Sequence, residues 1–265
     1  MTRFLILLAS ICCIVNTAHA TDHRQFVSES SWEQITPHLM PDTHPAKKVL
    51  DKIIGNSPVF YDMQTMTQAG FDQAEPQPTT RLIVTRHPKL KGYVIKAYLD
   101  TQEYYGNRPE YYYWAKRAEG ANLIREAIKK HNYSHLLKTP RKWIYALPST
   151  QHMPLPAGCK RKLFILVEDD MDILDDAASE KRWSSPHATK ELLSALHTII
   201  TEFRFRDCAK PANCPFSKDG RVALIDTQSF YKKKVGYKKL NRVLTAEMRE
   251  YWEALSAELE KTTLN

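Results

Sequence analysis

The chain has 265 residues, 43% of them hydrophobic, with 38 Lys and Arg against 30 Asp and Glu and a formal charge of +8. That length suits one two-lobed domain or two small ones. No stretch after residue 20 approaches the ~18 consecutive apolar residues of a membrane-spanning helix. The basic balance admits nucleic acid, an anionic membrane surface or phosphorylated ligands as partners and selects none of them.

The first segment reads as a targeting signal. Arg3, the apolar run 4–15 and Ala18-His19-Ala20 match a signal peptide cleaved after Ala20, so the expected destination is periplasmic or secreted. Three cysteines lie beyond it: Cys159, Cys208 and Cys214. In an exported protein Cys208 and Cys214 are the obvious pair, and the sequence leaves open whether they are joined. His197 stands eleven residues before Cys208, a spacing that matches no zinc signature.

Residues 21–80 read as an N-terminal extension and linker. Within them Val49, Leu50, Ile53 and Ile54 mark a short helix stopped at Gly55, and Pro76 and Pro78 mark a connection. Residues 81–86 and 93–98 then form a predicted hairpin. Alternation sets Val94, Lys96 and Tyr98 on one face, opposite Ile95 and Ala97. A helix is predicted over 114–130, with Leu123, Ile124, Ala127 and Ile128 apolar and Glu119 and Glu126 among its acids. Two more strands follow at 142–147 and 162–167, and then the acidic run 168–172, which begins at Glu168. Ser185 and Pro186 are suitable starts for a helix whose apolar face is Leu192, Leu196, Ile199, Ile200 and Phe203. It runs out at Asp207. After a loop containing Asn213 comes a hairpin with arms 214–216 and 221–225, ending at Asp226. A last helix is predicted over 245–261, with Met248, Trp252, Leu255 and Leu259 inward.

Asp207, Asn213 and Asp226, delivered by one helix and one hairpin, resemble the catalytic segment of the protein-kinase-like superfamily. Val94-Ile95-Lys96 resembles the strand lysine of that superfamily, and the motifs come in its order over residues 80–230. The resemblance implies an α+β, two-lobed kinase-like fold: a small antiparallel-sheet N-lobe over 81–167 and a minimal, mostly helical C-lobe over 168–265. It implies ATP and Mg²⁺ as cofactors. Lys96, oriented by Glu119, would neutralise the nucleotide phosphates, and Glu168 opens the hinge where adenine binds. Asp207 would act as base, and Asn213 and Asp226 would hold the metal. The chain departs from the pattern in three places. No glycine-rich loop precedes Lys96, the Asp207–Asn213 gap is one residue longer than usual, and Gln228 stands where the last motif has glycine.

Three functions are compatible with these residues: a Mg²⁺-ATP-dependent phosphotransferase acting on a protein or small-molecule hydroxyl, a catalytically silent pseudokinase serving as a binding module, and a basic-surface protein binding anionic polymers. In the third, the tyrosines of 104–113 would serve as a stacking platform. No specific nucleic acid and no membrane span after signal cleavage are expected.

Overall fold

Strands with a two-residue apolar period must bury one face or both, and here both are covered. A computed structural model describes residues 23–262 except 56, 74–75, 79, 104–107 and 149–152. The signal-peptide segment lies outside the described residues. In chain order the strands are β1 (Ile83–Thr85), β2 (Tyr93–Ala97), β3 (Leu137–Lys138), β4 (Lys142–Ala146), β5 (Phe164–Asp169) and β6 (Val222–Ala223). The helices are α1 (Glu29–Ile35), α2 (Pro45–Ile54), α3 (Met63–Gln68), α4 (Glu110–Lys130), α5 (Asp176–Trp183), α6 (Lys190–Glu202) and α7 (Ala246–Thr262). The fold is α+β, with a four-stranded antiparallel sheet in the order β1-β2-β5-β4 and a two-stranded parallel pair of β3 and β6.

One face of the four-stranded sheet carries Ile83, Ile95, Ala97, Tyr145, Ile165 and Val167. It packs against Leu50 and Ile54 of α2, Met66 of α3, and Val59, Phe60 and Phe71. Residues 40–71 therefore supply core, where the sequence suggested extension and linker. The opposite face carries Tyr98, Ile144, Phe164 and Leu166 and packs against Trp114 and Ala115 of α4, with Ile35 of α1 at the edge. Each apolar side chain fully withdrawn in this way contributes about 1.5–3 kcal/mol. Lys96, Lys142 and Glu168 share the α4 face by alternation. Register brings them together: Lys142 pairs with Glu168 across β4 and β5, and Lys96 with Leu166 across β2 and β5.

The far end of α4 enters a second core with α6, α7 and the β3–β6 pair. Its centre is Ile124, Trp183, Leu196, Ile199, Phe205, Phe216 and Trp252. The 21-residue α4 thus links the sheet to the helical layer. Its buried Ala118, Gly120 and Ala121 let other backbone approach closely. A Cβ on Gly120 would stand 1.9 Å from the Thr227 carbonyl oxygen, so only glycine fits there.

Two boundaries differ from the sequence reading. α6 begins at Lys190, with the Thr189 hydroxyl accepting from the Leu192 amide at 3.1 Å. Ser185 and Pro186 instead lie in the turn after α5, where the Ser185 hydroxyl donates to the Arg182 carbonyl. Both sites offer a cap, and the helix uses the one at Thr189. The hairpin is narrower than expected. Phe216 bridges Val222, and β6 turns its other edge to β3. Leu259, expected to face inward, has its side chain outside the described residues.

Candidate functional site

A cleft of about 770 Å³ opens between the α4 face of the sheet and the loops of the helical layer. Leu82, Val84 and Val94 form its apolar side below β1 and β2, with Met171 and Ile173 beyond the end of β5. Lys96, Glu168, Asp207, Asn213 and Asp226 all line it. Five of the six residues singled out in the sequence therefore meet in one cavity.

At its back is a buried cluster of charges. Lys96 Nζ stands 2.8 Å from Glu168 Oε1, and Lys142 Nζ stands 2.7 Å from Oε2. The side chains of Lys96 and Glu168 are 7% and 6% exposed, and that of Lys142 not at all. Both ammonium groups also donate to the Ile225 carbonyl, Lys142 at 2.8 Å and Lys96 at 3.4 Å. Burial pushes the Glu168 carboxyl up, but the charge of Lys142 and then that of Lys96 outweigh it and hold the group down at about 2. Burial pushes Lys142 down to about 8, against the pull of Glu168.

The partner expected for Lys96 is elsewhere. Glu119 pairs with Lys116 at 2.8 Å on the half-exposed side of α4. Helical period explains the difference. Arg117, Gly120, Ala121 and Ile124 occupy the buried face, and Glu119 falls two positions from Arg117, on the opposite side. What α4 delivers to the cleft is Arg117, whose guanidinium reaches Asp226 Oδ1 at 2.8 Å. Glu126 is exposed.

Asp207 follows the turn that ends α6. Its carboxylate accepts from Lys239 Nζ at 2.5 Å and from Arg206 Nε at 3.1 Å. Burial raises this carboxyl, but the two cationic donors prevail and hold it below the usual range. The Asn213 side-chain Nδ2 donates to the Asp207 carbonyl at 3.0 Å, closing the loop between them despite its extra residue. The Ile225 amide donates to the Asn213 carbonyl at 3.0 Å, which ties the residue before Asp226 to Asn213. Asn213 and Asp226 both line the cleft. Among the described residues no group of three His, Cys, Asp or Glu side chains forms a metal cluster.

Cys208 and Cys214 are buried free thiols. Cys208 Sγ donates to the Asp226 carbonyl at 3.5 Å and Cys214 Sγ to the Lys210 carbonyl at 3.3 Å. Each holds one end of the loop by itself. Of the predicted tyrosine platform, residues 104–107 lie outside the described residues. Tyr111 belongs to the first turn of α4, its ring 5.7 Å from that of Phe164. No helix among the described residues is long and apolar enough to cross a membrane.

Three site residues escaped the sequence reading: Lys142, Arg117 and Lys239. For Lys142 a signal exists, since it opens a strand in which Ile144 shares its face and is therefore turned toward α4. For Arg117 no local pattern distinguishes it from the other basic residues, and Lys239 stands in a short basic run of the kind that reads as a solvated face. No family model matches the sequence, and neither does any curated protein.

Proposed function

We propose that the cleft binds a nucleoside triphosphate with Mg²⁺ and transfers its terminal phosphoryl group to a hydroxyl acceptor, in the manner of a kinase-like phosphotransferase. The observation that carries this reading is the convergence of Lys96, Asp207, Asn213 and Asp226 on one cavity of about 770 Å³. Lys96, held by Glu168 in place of a helix glutamate and by the Ile225 carbonyl, would face phosphate charge. Asp207 receives the proton of the acceptor hydroxyl. Asn213 and Asp226 supply the oxygen ligands, and the bound Mg²⁺ would neutralise charge on the phosphates. The apolar side chains of Leu82, Val84 and Val94 offer a surface for a nucleobase. With no glycine-rich loop available, side-chain cations take the place of backbone N–H groups around the phosphates.

A second reading, a binding module without turnover, is favoured by one contact. Arg117 already neutralises Asp226, the residue on which metal binding depends. Thermal unfolding of the purified protein with and without Mg²⁺-ATP, beside Asp226→Asn, tests the first reading. Asparagine still accepts from Arg117, so the variant keeps the contact and loses the charge. Ligand at ~100 times its dissociation constant adds roughly 2.7 kcal/mol of stability. A Mg²⁺-dependent shift that the variant abolishes is the expected result. A shift without turnover of the nucleotide favours the second reading, and the absence of any shift refutes the first.

A further inference from the structure

Between Asp226 and Glu247 the chain contains no acidic residue, while lysines 232–234, Lys238, Lys239 and Arg242 fall within that span. The fold lays this stretch against the turn that carries Asp207. The Arg206 amide donates to the Ser229 carbonyl at 2.9 Å, and the Tyr231 amide to the Phe203 carbonyl at 2.7 Å. The Gly236 amide donates to the Arg206 carbonyl at 3.0 Å, and the Arg204 guanidinium caps the Lys233 carbonyl at 2.8 Å. Lysines 232–234, Lys238, Lys239, Arg204 and Arg206 are all exposed, so the result is a basic shelf that starts at the cleft, which Lys239 and Arg242 line, and runs outward past Arg206 and Arg204. Tyr231, 61% exposed, stands at its start.

The shelf is specifically built. A Cβ on Gly236 would stand 2.7 Å from the Arg206 carbonyl oxygen and 2.9 Å from Lys239 Cε. Only glycine there lets the strip lie close enough for Lys239 to reach Asp207. In this arrangement the acid that should accept a proton is occupied by two cations, Lys239 and Arg206. A neutral acceptor offers these cations nothing in exchange. An acceptor bearing its own phosphate does, because a dianion competes directly for ammonium and guanidinium groups.

Resting on the phosphotransferase reading, we propose that the acceptor is a phosphorylated hydroxyl compound, whose phosphate sits on this shelf and draws Lys239 and Arg206 off the Asp207 carboxylate. The freed carboxylate takes the proton of the acceptor hydroxyl as its oxygen bonds to the terminal phosphorus of the nucleoside triphosphate. The bond from that phosphorus to the bridging oxygen breaks, and the nucleoside diphosphate leaves with its electron pair. Phosphate on a soluble sugar or on a lipid headgroup would present the same chemistry to the shelf.

The test measures binding to two matched pairs of probes: glucose against glucose 6-phosphate by thermal shift, and phosphatidylcholine vesicles with or without phosphatidylinositol 4-phosphate by co-sedimentation. The protein is compared with the triple variant Lys232→Glu, Lys233→Glu, Lys234→Glu and, separately, with Gly236→Ala. The Mg²⁺-ATP shift is recorded on the same samples. The expected result is at least about tenfold tighter binding of the phosphorylated member of a pair, lost in both variants. Preference in the soluble pair assigns a free phosphorylated acceptor, and preference confined to vesicles assigns a headgroup. Equal binding of charged and neutral probes, no binding of either, or preference that survives in both variants overturns the proposal while a normal Mg²⁺-ATP shift leaves the phosphotransferase reading standing. Loss of the Mg²⁺-ATP shift in the unmodified protein removes both.

Discussion

Replacing Glu168 by Gln keeps the shape of the residue and removes the one negative charge between Lys96 and Lys142. The folded protein holds this carboxyl at about 2, against 4.5 for the free group. At about 1.36 kcal/mol per pKa unit this corresponds to roughly 3 kcal/mol of stability. The cost of breaking a buried ion pair is of the same size, about 3–5 kcal/mol. The sign is fixed by the direction of the shift. A depressed carboxyl stabilises the fold fully above its unfolded value near 4.5, and the contribution disappears as pH falls through about 2. Urea unfolding at pH 7, followed by tryptophan fluorescence, should therefore show Glu168→Gln less stable by about 3 kcal/mol. The deficit should shrink between pH 4.5 and 2 as the unmodified protein protonates the same group. A deficit below about 1 kcal/mol, or one that does not change with pH, would refute an electrostatic role for the cluster.

Lys142→Met should cost only about 1 kcal/mol by the same urea assay, because Glu168 keeps Lys96 and the Ile225 carbonyl keeps one donor. Gly120→Ala puts a methyl group where the Thr227 carbonyl stands, and a loss of about 2–3 kcal/mol in thermal unfolding is expected. Iodoacetamide at pH 8 should modify the partly exposed Cys159 first. Burial raises both Cys208 and Cys214, so mass spectrometry should find them alkylated only as fast as the protein opens. Labelling of these two that required prior reduction would show them joined instead.

The parts of the site legible in the sequence are those fixed by local period and order. Alternation around Lys96 was enough to set it opposite Ile95 and Ala97, and the structure keeps that division. The helix before Asp207 and the turn before Asp226 announce themselves through apolar spacing and Gly220. The partner of Lys96 was not legible, because it depends on register: nothing in β5 alone says that Glu168 will lie beside a lysine from each neighbouring strand. Arg117 was lost for a related reason. A helix with Arg117 and Glu119 two positions apart must turn one of them away, and the small residues at 118, 120 and 121 decide which. Residues 40–71 were undervalued because a short helix such as α3 has little period to show, and its core role appears only once Met66 meets the sheet.

The crossing between sheet and helical layer runs through three consecutive residues. Ile225 accepts from Lys96 and Lys142, Asp226 from Arg117, and the Thr227 hydroxyl donates to the Arg117 carbonyl at 2.5 Å while its own carbonyl lies against Gly120. A cleft stitched at the back in this way has its two layers bound along one spine. Leu82 on one side and Lys239 on the other line the same cleft. The Ile225 amide, which donates to the Asn213 carbonyl within that spine, should be among the last in the molecule to exchange its proton, in step with the interior of α4 rather than with the surrounding loops.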